Sequence, residues 1–269
     1  MSDPVLRVSG AEKHFGAVQA LRDVDLDVHG GEVVALVGDN GAGKSTLIKG
    51  LAGVQPFDAG SIEIGGHPAR ITTPQQATGL GIATVYQDLA LCDNLDVVAN
   101  LFLGNEPLRL RRLDEVAMEK QAHGLLAQLS VSIPSVRTRV ASLSGGQRQS
   151  VAIARSLIGE PRVVLLDEPT AALGVAQTAQ VLQLVTRLRE RGLAVLLISH
   201  NLADVFAVAD RIEVLRLGGN GGSFRAADAR NADVVAAITG ATKERLDAAL
   251  AEATAEHSAD ASTAGGERS

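Results

Sequence analysis

Apolar residues follow two different patterns along the chain, and the change between them predicts its organisation. Val5-Leu6-Arg7-Val8 alternates like a strand and is stopped by Gly10. Val24, Leu26 and Val28 alternate with Asp23, Asp25 and Asp27, a half-buried strand of period two. Ser61-Ile62-Glu63-Ile64 before Gly65-Gly66-His67-Pro68 reads as a hairpin, so this front part reads as antiparallel. The runs Glu32–Val37, Ile82–Tyr86, Val163–Leu166, Ala194–Ile198 and Ile212–Leu217 are instead nearly continuous in apolar residues. Such runs suit strands covered by helices on both faces.

Helical spacing predicts Thr46–Leu51, then Asp114–Leu129 with Asp114 as N-cap and Leu113, Ala117, Leu125, Leu126 and Leu129 inward. A third helix follows Ser144 through Val151, Ile153, Ala154, Leu157 and Ile158. A fourth spans Val181–Leu193, with Leu182, Val185 and Leu188 on one face. Asp88 to Ser142 reads as helices and loops without new strands, Gly218–Gly222 as a flexible turn, and Ala229–Gly240 as a short closing helix. The expected fold is α/β over residues 1–240, and there is no internal repeat. The tail, 241–269, is small and polar and is expected to be largely disordered, after a marginal helix carrying Leu246, Ala249, Leu250 and Ala253.

Composition narrows this little. Apolar residues make up 46% of the 269 and aromatic residues only 2%, so the core must be built from Ala, Val, Leu and Ile. A net charge of −6 argues against non-specific nucleic-acid binding. The single cysteine, Cys92, excludes an internal disulfide and has no Cys or His cluster near it in sequence. The N-terminus lacks the features of a signal peptide, and no apolar run is long enough to span a bilayer. The chain is therefore expected to be soluble, with spanning helices, if any, supplied by another chain.

The chemistry concentrates in a few strings. Gly38-Asp39-Asn40-Gly41-Ala42-Gly43-Lys44-Ser45-Thr46 fits G-x-x-x-x-G-K-[ST] between a strand and a helix, the setting of a phosphate-binding loop. Its glycines let backbone N–H groups approach phosphate oxygens; Lys44 would reach the β- and γ-phosphates, and the Ser45 hydroxyl would face Mg²⁺. The buried strand Val163–Leu166 ends in Asp167-Glu168, where a P-loop fold holds Mg²⁺ and positions a water. Gln87 and His200 stand at the ends of two further strands. By itself Gln87 could equally cap or bond the backbone, and a lone His after a strand is more often structural than catalytic. Phe15 is either a base-stacking aromatic or a core side chain at a strand end. Ser144-Gly145-Gly146 opens a helix and, alone, is an ordinary loop-to-helix junction. Arg109, Arg111 and Arg112 read as a solvated loop rather than an anion site.

Taken together, over about residues 5 to 240, these motifs resemble the nucleotide-binding subunit of ATP-binding cassette (ABC) transporters. Leu143-Ser144-Gly145-Gly146-Gln147 carries the resemblance most specifically; Gln87 matches the family's Q-loop and His200 its switch histidine. The resemblance implies a P-loop NTPase core with an N-terminal antiparallel β subdomain and an α-helical subdomain inserted at about 88–160. It implies ATP and Mg²⁺ as cofactors and head-to-tail pairing with a second copy or a paralogous cassette. ATP would lie on Gly38, Asn40, Gly41, Gly43, Lys44, Ser45 and Thr46 of one cassette, under Ser144, Gly145, Gly146 and Gln147 of the other. Phe15 would stack on adenine, Ser45, Gln87 and Asp167 would serve Mg²⁺, Glu168 would be the general base, and His200 would hold the γ-phosphate.

Val85–Leu91, Asn94–Gly104 and Ala171–Val175 look like the branch that imports ribose, xylose, fructose or galactose. This implies transmembrane permease subunits, a sugar-binding protein acting indirectly, a place on the cytoplasmic face of the membrane, and no nucleic acid. One departure stands out: Gly174 occupies the place of an Asp usual in the family, which puts the contact between the two sites in question. A soluble cassette acting on ribosomes or DNA is the alternative, but it would call for paired cassettes or a basic surface, and neither is visible. A non-catalytic regulatory cassette is disfavoured by intact Lys44, Asp167, Glu168 and His200.

Overall fold

Each of the two hydrophobic patterns builds a sheet of its own. The computed structural model describes residues 3–241, so the expected tail disorder and marginal helix lie outside the described residues. β1 (Leu6–Phe15) and β2 (Val18–Val28) pair antiparallel and bury Leu6, Val8, Ala11, Leu21, Val24, Leu26 and Val28 on one side. β1 does not end at Gly10. Irregularities in its pairing between Val8 and His14 absorb the break in alternation and carry the strand on to Phe15, which is paired with Val18 at the strand end.

β3 (Val33–Val37) follows, fully buried, and leads into α1 (Lys44–Leu51). Next come β4 (Ala59–Ile64), β5 (His67–Ala69), the short α2 (Pro74–Gly79) and β6 (Ile82–Val85). β2, β1, β4 and β5 make a four-stranded antiparallel sheet in that order. α3 (Val97–Phe102) is capped by Asp96.

The stretch expected to lack new strands contains a small hairpin, β7 (Leu108–Arg109) and β8 (Arg112–Leu113). Leu110 and Arg111 turn it with φ of 51° and 64°, a left-handed pair without glycine. The three arginines of this stretch are all exposed, consistent with a solvated cluster. α4 (Glu115–Gln128) is capped by Asp114 as the pattern predicts. Its buried stripe is Met118, Ala122 and Leu126, with Leu129 at the cap; Leu113 belongs to the hairpin and is exposed.

α5 (Gly145–Ser156), β9 (Val163–Asp167), α6 (Val175–Glu190), β10 (Ala194–Ile198), α7 (Leu202–Val208), β11 (Arg211–Arg216), β12 (Gly219–Arg225) and α8 (Asn231–Thr239) complete the order. The six-stranded sheet runs β12-β11-β3-β10-β9-β6, parallel except for β12. The stretch expected to be a flexible turn is thus the start of an edge strand. Its glycines tolerate the bulge between Val214 and Leu215, and the Asn220 amide exchanges hydrogen bonds with the Asp25 backbone, joining the two sheets. α6 starts at Val175, well before Val181, because the amphipathic stripe needs only its later residues Val181, Leu184, Val185 and Leu188. No helix among the described residues is long and apolar enough to cross a membrane.

Candidate active site

The carboxyl ends of β3, β9, β10 and β6 converge on one cleft, the place where open parallel sheets bind ligands. β3 delivers Gly38, and the loop from there to Lys44 lies against the ends of β11 and β2. A Cβ on Gly38 would collide with the Leu215 carbonyl. One on Gly43, at φ 106°, would stand 2.7 Å from the Ala20 carbonyl and 2.8 Å from Leu21. Both glycines are therefore demanded by the chain's own packing. Gly41, at φ 80°, has open space where a Cβ would lie, so its backbone stays accessible. Lys44 Nζ donates to the Gly38 carbonyl at 2.7 Å and the Asp39 carbonyl at 3.0 Å, folding the side chain over its own loop. Burial lowers the Lys44 pKa, against the opposing fields of Glu168, Asp39 and Asp167.

Asp167 is the last residue of β9 and is half-buried. Burial and the neighbouring Glu168 push its carboxyl up, while Lys49 and Lys44 pull it down less. Glu168 stands just past the strand at φ 53°, held by its N–H to the Ile198 carbonyl at 3.0 Å. A non-glycine residue in this conformation is strained, and such strain gathers at functional sites. It aims the carboxylate at His200, whose Nδ1 lies 2.6 Å from Glu168 Oε2. With Glu168 ionised, that ring nitrogen carries the proton. His200 itself is exposed.

The cleft holds about 470 Å³ and is lined by Phe15, Ala20, Asn40 to Thr46, Gln87, Asp167, Glu168 and Ile198. Phe15, Asn40 to Thr46, Gln87, Asp167 and Glu168 thus meet in one place, Gly38 stands behind them against Leu215, and His200 joins through Glu168. Ala20 and Ile198 went unrecognised because an Ala and an Ile carry no chemical signal. Thr170 and buried Asp204 were missed too: the Thr170 hydroxyl donates to Asp204 Oδ2 at 2.7 Å, bracing the segment after Glu168 against α7. A Thr-Asp contact between distant segments leaves no spacing to read.

Ser144, Gly145, Gly146 and Gln147 do not line this cleft. Ser144 Oγ accepts from the Gln147 N–H, and Gln147 Oε1 accepts from the Ser144 N–H, a reciprocal cap on α5. Gln147 Nε2 donates to the Ser132 carbonyl. Gly145 and Gly146 rest against Leu173 and Gln177 at the start of α6, where a Cβ would be tight. Ser144 and Gly145 remain exposed. At the far end of α5, Arg155 donates to the carbonyls of Ala90 and Leu89, in the segment that follows Gln87.

Residues 21–171 match the profile of a family described as ABC transporter. The chain is 44% identical to the fructose import ATP-binding protein FrcA of Rhizobium meliloti, over 93% of this chain and 99% of that protein. It is 45% identical to the xylose/arabinose import ATP-binding protein XylG of Sulfolobus acidocaldarius, over 81% of this chain and 86% of that protein. Among solved structures it is similar to the ADP conformation of MJ1267, an ATP-binding cassette of an ABC transporter, with TM-score 0.78, 25% identity, and coverage of 91% and 98%. It is also similar to a dimeric post-hydrolysis state of the cassette MJ0796 bound to ADP and Pi, with TM-score 0.69, 25% identity, and coverage of 82% and 98%. With its phosphate loop, its paired acids and more than half its length matched, the chain belongs to the ABC transporter family.

Proposed function

We propose that this chain is the ATP-hydrolysing subunit of a membrane transporter that imports a monosaccharide, working at the cytoplasmic face through separate permease subunits. The relatives named for fructose and for xylose or arabinose import support the sugar assignment. The observation that carries the catalytic reading is the single cleft in which Lys44, Asp167 and Glu168 face one another, with His200 bonded to Glu168.

ATP fits this cleft. Phe15 is 44% exposed at its rim and offers a ring face to adenine. The backbone of Gly38, Asn40, Gly41 and Gly43 supplies N–H donors, and Ser45 and Thr46 open a helix whose dipole favours phosphate. Lys44 would exchange two neutral carbonyl partners for anionic phosphate oxygens, which strengthens its hydrogen bonds. Ser45, Gln87 and Asp167 form an all-oxygen donor set of the kind hard Mg²⁺ prefers, and the ion would neutralise charge on the phosphates. Glu168 would accept the proton of the attacking water, while His200, donating to Glu168, orients that carboxylate and reaches toward the γ-phosphate.

Ser144 and Gly145, exposed and outside the cleft, would close it from a second cassette, with buried Gly146 packed on Gln177 and Gln147 capping α5 behind them. The dimeric relative supports such pairing. The region around 88–160 would be the subdomain that meets the permease, with Gln87 at its hinge and Arg155 linking α5 to it. A separate sugar-binding protein would choose the substrate.

Glu168→Gln tests the assignment. ATP binding is expected to persist, hydrolysis to fall by roughly 10²–10⁴-fold, and an ATP-bound dimer to accumulate in sedimentation. Hydrolysis at the normal rate would remove Glu168 as the base.

A further inference from the structure

The ring of Phe15 is tied to the phosphate loop by residues outside the nucleotide motifs. Lys13 Nζ lies 5.7 Å from the centroid of that ring, within range of a cation–π contact. The ammonium is anchored rather than free: it donates to the Pro56 carbonyl at 2.7 Å and to Asp58 Oδ1 at 2.7 Å. The other oxygen of Asp58 accepts from the His14 N–H at 2.7 Å, and the Asp58 N–H donates to the Glu12 carbonyl at 2.8 Å. Asp58 therefore brackets the end of β1 on both sides of Lys13, just before Phe15.

The segment that supplies these partners is seated on the phosphate-loop helix. Phe57 packs onto Gly50 of α1, where a Cβ would collide with its ring. α1 begins at Lys44. An unbroken path thus runs from Lys44 along α1 to Phe57, Pro56 and Asp58, then through Lys13 to Phe15. Phe15 itself is 44% exposed, so little core packing fixes its ring.

We propose that Lys13 and Asp58 are positioning residues for the nucleotide base, holding the Phe15 ring at a set offset from the phosphate loop so that the base meets a prepared platform. The proposal rests on the reading that Phe15 stacks on the adenine of ATP. Its physical basis is preorganisation: an exposed ring free to change rotamer would have to be immobilised when the base binds, and an anchored ring would not. The strut should matter for ligands that carry a base and not for a bare phosphate chain.

The full-length chain, with dissociation constants for ATP and for inorganic tripolyphosphate measured by calorimetry, tests this. Phe15→Ala should weaken ATP roughly tenfold and leave tripolyphosphate unchanged. Asp58→Asn and Lys13→Met should each weaken ATP about threefold, again without affecting tripolyphosphate, and Lys13→Arg should restore most of the loss. In a Phe15→Ala background, Asp58→Asn should add nothing. A parallel loss of tripolyphosphate binding, or additive losses in the double variant, would show a merely structural role and overturn the proposal. If Phe15→Ala weakens ATP while the Lys13 and Asp58 variants do not, the proposal alone falls. If Phe15→Ala leaves ATP binding intact, base stacking on Phe15 falls and the proposal with it.

Discussion

At Asp167 the fold holds a carboxyl where its charge is disfavoured. Burial and the adjacent Glu168 raise its proton affinity, and Lys49 and Lys44 offset this only partly. The folded, nucleotide-free chain therefore binds that proton more tightly than the unfolded chain does. The linkage has a definite sign: above the folded pKa the ionised carboxylate carries its full penalty, and the fold gains stability as pH falls through that value toward the ordinary carboxylate range. Asp167→Asn removes the charge. The nucleotide-free variant should melt at a higher temperature than the parent at neutral pH, and the difference should shrink in mild acid. ATP with Mg²⁺ should stabilise the variant less than it stabilises the parent. A variant that melts lower at neutral pH would contradict this account. The residues of this site that were legible in the sequence are those that form local strings, Gly38–Thr46 and Asp167–Glu168. The contact between Glu168 and His200 was not legible as geometry, because it exists only because β9 and β10 are neighbours.

Among elements, β1 shows why alternation alone misplaces a boundary. Gly10 reads as a stop, yet the strand passes through it because Gly60 on β4 lies opposite. A Cβ on Gly60 would stand 2.5 Å from the Gly10 carbonyl, so the missing side chain makes room for the irregular register. Gly60→Ala should therefore destabilise the chain by about 3 kcal/mol, read as a shift in the denaturation midpoint. Gly66→Ala in the adjoining turn is a fair control: its φ is 78°, but nothing lies within 4 Å of its would-be Cβ. Only the left-handed backbone penalty applies there, roughly 1–2 kcal/mol. Equal losses at the two positions would show that backbone strain, not close approach, sets the cost. The other elements missing from the pattern have the same kind of origin. β12 is rich in glycine and has a weak apolar signature, so its place at the sheet edge follows from β11 and from Asn220 reaching Asp25. The β7–β8 hairpin is too short for a period to register. The central strands were legible because burial on both faces leaves an apolar run that survives without any knowledge of neighbours.

At the scale of the whole molecule, the cleft holding Lys44 and the helix start at Ser144 are separate surfaces of one chain, so under the pairing proposed above a complete site would require two chains arranged symmetrically. This arrangement can be tested by complementation. A Lys44→Ala chain lacks phosphate binding but keeps an intact Ser144 surface. A Ser144→Arg chain keeps its own cleft, and should still bind ATP as a monomer, but presents a blocked surface to its partner. Each alone should be inactive in hydrolysis. Mixed in equal amounts, half of the dimers are hybrids, and each hybrid contains one site made wholly of unaltered residues. If the two sites of a dimer work independently, the mixture should recover about a quarter of the parent rate. Independence is the expected outcome because, in the proposed pairing, the position between the sites would be Gly174, which has no side chain to carry a polar contact across the dimer and whose would-be Cβ has nothing within 4 Å. Restoring a carboxylate with Gly174→Asp in both chains should then lower the recovered fraction, since a dead partner site would be felt by the live one. A mixture no more active than its components would mean either that hydrolysis is not completed by Ser144 of a second chain or that both sites must turn over together. Loss of ATP binding by the Ser144→Arg monomer would decide for the first, because it would place Ser144 in its own chain's site.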